Sequence, residues 1–206
     1  DFLDKHGLSH YEEGDMGPTY GFLMRHAGAE PDYKGKRESY EDTGVDQFQG
    51  IVDGIKRDPH SRRHVMNLWS AAHLDKMALP PCLFNYVFHV DAADGSVSLL
   101  AFMRSADLFL GVPFNLCGAS LLLRMVCHLT DRPPGTLSLV MANCHVYENH
   151  LLQARTQMGR EPRKFPRLSI IRTRKEVGGS VHGFRASDFL LEDYNPHDAI
   201  KAQMAV

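Results

Sequence analysis

The sequence predicts an α+β (mixed α/β) fold around one sheet, in a single domain that covers residues 1–206. The first observation is that strand-like and helix-like segments interleave without the strict alternation of a parallel α/β protein. The second is that the chain is 43% hydrophobic and 23% charged, which is typical of a globular domain with a buried core. The third is that no internal repeat is visible, so a solenoid is not expected.

The first half of the chain predicts helices and then strands. Residues 1–43 are rich in Gly, Asp, Glu and Tyr and predict a short helix followed by loops. In residues 44–57 the apolar side chains recur at helical spacing, and Asp58-Pro59 ends that helix. Apolar segments on either side of a turn-rich link predict three strands, at 64–69, 84–90 and 96–103.

The second half is dominated by one long apolar segment. Residues 113–129 are apolar nearly all round, so they predict a buried helix with Pro113 in its first turn. Further patterns predict a strand at 136–140, a helix at 148–159, a strand at 168–172 and an irregular tail.

Charge and cysteine content narrow the classes of partner. The net charge of −2 and the pI near 6.7 indicate no nucleic-acid surface, so we expect no DNA partner. The four cysteines match no zinc template, so we expect no metal and reduced thiols in a cytoplasmic or nuclear protein. No apolar run approaches the roughly 18 residues that a membrane helix needs, so we expect no membrane partner. The chain begins at Asp1 instead of Met, and we expect it to be N-terminally incomplete.

Cys82 is a candidate nucleophile because it follows Pro80 and Pro81. Two prolines restrict the backbone and deliver the thiol from a rigid turn, as covalent catalysis requires. The alternative is an inert buried thiol, which is the commoner fate of a free cysteine. Local sequence alone leaves both interpretations open.

Arginines cluster locally in a chain that is otherwise nearly neutral. Arg62-Arg63 lies between a predicted helix and a predicted strand, where one guanidinium can point inward and the other outward. A guanidinium suits phosphate because it binds two oxygens at once. Surface salt bridges are the commoner explanation for such a pair.

Two further clusters combine groups that suit a nucleotide. Arg104 to Asp107 supply a cation, a hydroxyl and an acceptor at the end of a predicted strand, a common place for binding sites. Asn115 near the start of the apolar helix is either a cap or a ligand-reading amide, which can both donate and accept. His145 and Tyr147 project to one face if the backbone is extended, and a sugar hydroxyl could bridge them. A satisfied core His and Tyr is the alternative.

Taken in order, these segments resemble the thymidylate synthase family over nearly the whole chain. The resemblance rests on D-M-G-P-T-Y-G-F (15–22), D-P-H-S-R-R (58–63), D-K-M-A-L-P-P-C (75–82), R-S-A-D-L-F-L-G-V-P-F-N (104–115), H-V-Y-x-N-H (145–150), R-E-P-R-x-F-P (160–166) and Y-N-P-H…M-A-V (194–206). The final M-A-V is similar to the eukaryotic and large-virus branch. The resemblance implies one large mixed sheet flanked by helices, with a sheet face packed in a homodimer.

The resemblance also implies a reaction, the reductive methylation of deoxyuridylate (dUMP) to thymidylate with 5,10-methylenetetrahydrofolate as co-substrate and no metal. Cys82 would add to C6 of uracil, Arg104 would bind phosphate and favour the thiolate, and Tyr20 would lie near the reacting centre. Arg62 and Arg63 would reach the partner's phosphate across the dimer interface. The implied dUMP-binding residues are Arg62, Arg63, Arg104, Ser105, Ala106, Asp107, Asn115, His145, Val146 and Tyr147. The implied folate-binding residues are Asp107, Gly111, Phe114 and Ala205.

Several polar positions of the family pattern are apolar or neutral here. The departures are Leu83 for His, Val87 and Met103 for Gln, Leu23-Met24 for Gln-Trp, and Ala142-Asn143 for Gly-Asp. They leave two alternatives to a working synthase. One is a dUMP hydroxymethylase, in which water replaces hydride at the last step. The other is a degenerate homologue that binds nucleotide without catalysis.

Overall fold

The computed structural model of the protein describes residues 4, 14–31, 40, 41 and 43–204. Within these residues the longer helices are α1 (Tyr20–His26), α2 (Gln47–Arg57), α3 (Gly111–Thr130) and α4 (Leu151–Met158). The strands are β1 (Val65–Asn67), β2 (Leu83–Val90), β3 (Val97–Asp107), β4 (Pro134–His145), β5 (Arg167–Ile170) and β6 (Phe189–Glu192). Short 3-10 helices span Ala71–Lys76, Glu148–His150, Val181–Gly183 and Ala186–Asp188.

Four strands form one mixed sheet in the order β1-β2-β3-β4, which confirms the predicted class. β1, β2 and β3 are antiparallel neighbours, whereas β3 and β4 run parallel and are connected through α3. Both β3 and β4 are longer than predicted, because their pairing continues until Asp107 lies opposite His145. Two polar motifs far apart in sequence therefore end side by side at the carboxyl ends of parallel strands.

The hydrophobic core lies between one face of this sheet and the helices α2 and α3. The α2 helix begins where the Asp46 side chain accepts the Gln49 backbone N–H at 2.9 Å, and it ends at Asp58 as predicted. Its buried face meets alternate residues of the strands. The core includes Phe48, Ile51, Val52, Ile55, Met66, Leu83, Tyr86, Phe88, Val90, Val97, Leu99, Ala101, Leu123 and Val126.

Leu99 in the central strand β3 provides a test of this core. The side chain is 1% exposed, and Leu99→Ala is expected to lower the free energy of unfolding by about 2–5 kcal/mol because it leaves a cavity. Leu152→Ala is the matched control, since Leu152 is 75% exposed and its loss should change the free energy by less than about 0.5 kcal/mol. Urea denaturation of both variants measures the difference, and equal midpoints would contradict the packing described here.

The α3 helix is less buried than predicted. Its buried side chains begin at Ala119, whereas Phe114 is 80% and Leu116 44% exposed. The reason is that the sheet supports the later turns, while the first turns border an open pocket. The expectation that no apolar segment reaches membrane-spanning size is wrong for Gly111–Thr130, which is long and apolar enough by length and composition alone. The packing of its later turns against the sheet explains that composition.

The tail is more regular than predicted. β6 pairs antiparallel with β5 in a second, two-stranded sheet, in which Arg167 lies opposite Glu192. The Glu192 carboxylate accepts hydrogen bonds from Arg167 Nε at 3.1 Å and from the Ser169 hydroxyl at 2.6 Å. Such a four-residue strand depends on a distant partner, which local sequence does not reveal.

Candidate active site

A pocket of about 590 Å³ opens where the carboxyl ends of β3 and β4 meet the first turns of α3. It brings together residues from four segments of the chain, so these motifs border one cavity. Its lining comprises Leu79, Pro80, Cys82, Arg104, Ser105, Asp107, Leu110, Gly111, Phe114, Asn115, His145, Tyr147, Ala202 and Met204.

The backbone of Cys82 is held on both sides at the start of β2. Its carbonyl accepts the Arg104 backbone N–H at 2.9 Å, and its own N–H donates to the Tyr20 hydroxyl at 2.9 Å. The Leu83 N–H also approaches that hydroxyl, at 3.4 Å. The half-buried thiol of Cys82 therefore extends into the pocket from a fixed main chain, which is the arrangement that covalent catalysis needs.

Tyr20 is brought to Cys82 by a close approach of two backbones. Gly17 has φ +71°, and a Cβ at this position would lie 2.1 Å from the Lys76 carbonyl oxygen, so only glycine fits. Burial raises the pKa of Tyr20 above its ordinary value, although the backbone N–H groups of Leu83 and Cys82 act in the opposite direction. The phenol thus keeps its proton. Tyr20 lines an adjoining apolar cavity that shares Phe114 and Asn115 with the pocket.

The Arg104 guanidinium connects the nucleophile to the proline turn. Its Nε donates to the Pro81 carbonyl at 3.0 Å, and its Nη2 donates to the Pro80 carbonyl at 2.8 Å. The same Nη2 lies 3.8 Å from Cys82 Sγ. Among the described residues Nη1 has no hydrogen-bond partner, so it is available to an anion in the pocket. One positive charge therefore lies beside both the sulfur and the open cavity.

Trp69 packs against the Arg104 guanidinium, a contact that was not predicted from the sequence. The Arg104 guanidinium carbon lies 5.6 Å from the centre of the Trp69 ring, within the range of a cation–π contact. Phe84 also meets the indole edge-on, with ring centres 6.2 Å apart. The signal available in the sequence was that this is the chain's one tryptophan, at the end of a predicted strand.

Asp107 shapes the turn that leads into α3. Its Oδ1 accepts the Phe109 N–H at 3.0 Å and the Leu110 N–H at 3.4 Å. This turn carries Asn115 to the pocket wall, where its amide has no hydrogen-bond partner within the described part of the chain. An amide in that position can donate to one ligand group and accept from another.

His145 and Tyr147 lie on one side of the pocket, as their spacing predicted. The rings are edge-to-face with centres 5.0 Å apart. His145 Nδ1 lies 3.0 Å from Asn143 Oδ1, and because that oxygen only accepts, Nδ1 carries the hydrogen. In the neutral ring Nε2 of His145 is then an acceptor, which suits a hydroxyl group of a ligand.

Within the described part of the chain, five predicted site residues do not line this pocket. Arg62 and Arg63 are exposed in a turn, because the strand starts only at Val65, and the idea of one inward-pointing arginine is wrong within this chain. Ala106 is fully buried and Val146 partly buried, and neither lines the cavity. Tyr20 acts from the adjoining cavity described above. Ala205 lies outside the described residues.

The departures from the family pattern include a buried apolar pair beneath Cys82. Leu83 and Met103 face each other across β2 and β3, and each is 2% exposed. Because the family pattern has a polar residue at each of these positions and this chain has an apolar one at both, neither side chain leaves an unsatisfied polar group in the core.

Cys127 on α3 differs from the other thiols and gives a further prediction. Burial raises the pKa of Cys127 to about 11, so only about one thiol in a thousand is ionised at pH 8. Cys117 and Cys144 are exposed. We expect iodoacetamide at pH 8 to label both exposed thiols while Cys127 remains unmodified in the folded protein, as read by peptide mass spectrometry. Labelling of Cys127 at the rate of Cys144 would contradict this burial.

Comparison with known proteins agrees with the geometry. The sequence profile of the family described as thymidylate synthase matches residues 1–206. The chain belongs to the thymidylate synthase family. A thymidylate synthase of equine herpesvirus 2 is 47% identical over 206 residues, which are 100% of this chain and 68% of the viral protein. Human thymidylate synthase is 43% identical over 206 residues, 100% of this chain and 63% of the human protein.

A thymidylate synthase from yeast also matches the whole chain. The yeast thymidylate synthase is 40% identical over 213 residues, covering 100% of this chain and 68% of the yeast protein. The chain thus spans about two thirds of the length of these relatives. The resemblance inferred from the motifs is confirmed.

Proposed function

We propose that the protein converts dUMP to thymidylate, with 5,10-methylenetetrahydrofolate as the donor of both carbon and hydride. The observation that carries this proposal is the thiol of Cys82 in a pocket that also holds the Arg104 guanidinium and the Asn115 amide. A nucleophile, an anion-binding group and a base-reading group are the three elements that attack on a phosphorylated pyrimidine requires.

We assign each of these residues a separate role in the reaction from its chemistry. Cys82 Sγ bonds to C6 of uracil, which makes C5 nucleophilic toward the one-carbon unit of the folate. Arg104, already 3.8 Å from Sγ, stabilises negative charge on sulfur and binds the phosphate with Ser105. C5 bonds to that carbon and loses its proton, and the bond from the carbon to the folate nitrogen breaks. Hydride from the resulting tetrahydrofolate then reduces the carbon to a methyl group and leaves dihydrofolate. Sγ finally leaves C6, and the thiol is restored. We assign the folate to Asp107, Gly111 and Phe114, which line the same pocket.

Sugar recognition follows from the fixed His145 tautomer. Nε2 of His145 accepts the ribose 3′-hydroxyl, and the Tyr147 hydroxyl completes the contact. The uracil edge, with an N–H donor beside a carbonyl acceptor, matches the Asn115 amide.

Asn115→Asp tests the base-reading role. A carboxylate only accepts, so it should accept a hydrogen bond from the amino group of cytosine and lose the contact to uracil O4, which also only accepts. We expect kcat/KM for dUMP to fall by about a hundredfold while binding of deoxycytidylate improves, because an unmatched polar pair costs about 1–3 kcal/mol. A turnover assay measures kcat/KM for dUMP, and isothermal titration measures the affinity for both nucleotides. Unaltered preference would contradict the role of Asn115.

Product analysis tests the reaction itself. The protein is incubated with dUMP and methylenetetrahydrofolate, and the products are separated by chromatography. Thymidylate with dihydrofolate supports the proposal, whereas hydroxymethyl-dUMP with tetrahydrofolate would assign the hydroxymethylase reaction. Nucleotide binding without product would assign a non-catalytic homologue.

We also propose that the protein acts as a homodimer through the outer face of its sheet. Val65 is 43% and Val140 44% exposed on this face, with Leu100 and Phe102 half-buried between them. Exposed apolar sheet surface of this kind favours a partner. Arg62 and Arg63 are exposed in the turn just before β1, and they would reach the partner's phosphate. Sedimentation of Val140→Glu against the unaltered protein tests the dimer, and identical dimeric masses would contradict this face.

For Arg62 and Arg63 the matched test is complementation. A mixture of Cys82→Ser and Arg63→Ala subunits should regain activity that neither variant has alone, because one site of the mixed dimer is then intact. No recovery would contradict donation across the interface. We further propose a cytoplasmic or nuclear location, which the exposed free thiols of Cys117 and Cys144 support.

A further inference from the structure

His150 is a buried histidine to which the resemblance assigns no role, although it closes the motif that begins at His145. It lies at the end of the 3-10 helix Glu148–His150, immediately before α4. Its relative exposure is 0%. A fully buried imidazole requires partners, and those partners show what the residue does.

One partner is the backbone of the C-terminal segment. His150 Nε2 lies 2.6 Å from the Gln203 carbonyl oxygen, across 53 residues of sequence. Because a carbonyl oxygen only accepts, Nε2 carries the hydrogen. The other ring nitrogen, Nδ1, is buried and has no hydrogen-bond partner in the described ranges. The ring is therefore held in one orientation by the bond to Gln203.

The remaining partners belong to the nucleotide side of the pocket. The His150 ring meets the Tyr147 ring edge-on with centres 5.7 Å apart, and its backbone N–H donates to the Tyr147 carbonyl at 2.9 Å. Phe109, which follows Asp107 in the turn before α3, packs against the His150 ring at 5.6 Å. One buried imidazole thus touches the two turns that carry Tyr147 and Asp107 to the pocket.

The bond to Gln203 has a direct effect on the pocket. Ala202 and Met204, on either side of Gln203, both line the cavity. Among the described residues, this is the hydrogen bond that joins residues 202–204 to the rest of the chain. Without it the C-terminal wall of the pocket would depend on apolar contact alone.

We propose that His150 is a positioning residue that holds the C-terminal segment over the pocket through the Nε2–Gln203 bond. Through Tyr147 it links that segment to the nucleotide side. The kinetic part of this proposal rests on the proposed function, whereas the attachment of the segment does not.

The test compares His150→Asn with His150→Gln. A glutamine amide reaches the place of Nε2 and keeps a donor for the Gln203 carbonyl, whereas an asparagine amide ends near the place of Nδ1 and leaves that carbonyl unpaired. Both variants bury an amide, so the comparison isolates the bond. Loss of one hydrogen bond predicts about tenfold faster release of the last residues by carboxypeptidase in His150→Asn, with a rate near the original in His150→Gln.

The kinetic readout separates positioning from general destabilisation. In His150→Asn the KM for methylenetetrahydrofolate should rise about tenfold, while the Kd for dUMP changes less than threefold and His150→Gln restores the folate KM. Equal effects of the two variants on the tail and on the KM would overturn the proposal. A protein without thymidylate synthase activity would contradict the proposed function, and the carboxypeptidase rates would still decide whether His150 holds the tail.

A measurement on the unaltered side chain covers the case in which the variants do not fold. Imidazole ¹⁵N resonances should show His150 with hydrogen on Nε2, and removal of residues 203–206 should shift that resonance. An unchanged His150 signal after truncation would overturn the proposal.

Discussion

Cys82→Ser is expected to reduce turnover at least about a thousandfold, because a serine hydroxyl is a far weaker nucleophile than a cysteine thiol. The backbone contacts of Cys82 to Tyr20 and Arg104 do not involve the side chain, so nucleotide binding should persist. Chromatographic detection of thymidylate measures turnover, and calorimetry measures dUMP affinity.

Cys144→Ser is the matched control for this variant. Cys144 is an exposed thiol that does not line the pocket, and its replacement should leave turnover within about twofold. Activity in Cys82→Ser comparable with that of Cys144→Ser would refute the nucleophile assignment. Loss of dUMP binding together with turnover would instead indicate that the substitution disturbs the pocket.

Arg104→Met is expected to produce the second largest loss, of about a thousandfold in kcat/KM. The substitution removes the two bonds to the Pro80 and Pro81 carbonyls and the positive charge 3.8 Å from Cys82 Sγ. It also removes the proposed phosphate contact, and bonds to charged groups are worth about 1.5–3 kcal/mol each. Stopped assays should show a lower kcat and a higher KM. Alkylation of Cys82 by iodoacetamide should be slower than in the unaltered protein.

Two comparisons make this result specific to Arg104. Arg104→Lys keeps the charge but cannot span two carbonyls and an anion, so it should recover only part of the activity. Arg124→Met removes an arginine that bonds the Leu168 carbonyl at 3.1 Å, outside the pocket, and should leave kcat unchanged. Similar losses for Arg124→Met and Arg104→Met would argue that the effect is one of general stability.

Sequence alone predicted most of what depends on local pattern. The helical period of residues 44–57 and the break at Asp58-Pro59 sufficed for α2, because both are short-range signals. The meeting of Arg104–Asp107 with His145 was not predicted, because the predicted strand ended at 140 and only the parallel pairing of β3 with β4 carries both motifs to one edge. The resemblance to a family then joined motifs that local reasoning could only treat one by one.

What the sequence did not predict depends on contacts between distant segments. The exposure of both Arg62 and Arg63 follows from the turn before β1, whereas the prediction applied the alternation of a strand to this junction. The bond from His150 to Gln203 joins positions 53 residues apart, and no periodicity encodes it. The strand β6 was not predicted for the same reason, because it depends on pairing with β5 and local propensity does not reveal that partner.

The ring of Trp69 beside Arg104 makes the protein its own spectroscopic probe. Since the chain has one tryptophan, all indole emission comes from a residue 38% exposed and 5.6 Å from the guanidinium carbon of Arg104. A bound phosphate partly neutralises that cation and changes the electric field on the indole. Steady-state fluorescence therefore offers a label-free titration of nucleotide binding, one that Arg104→Met would silence and that needs no catalytic step.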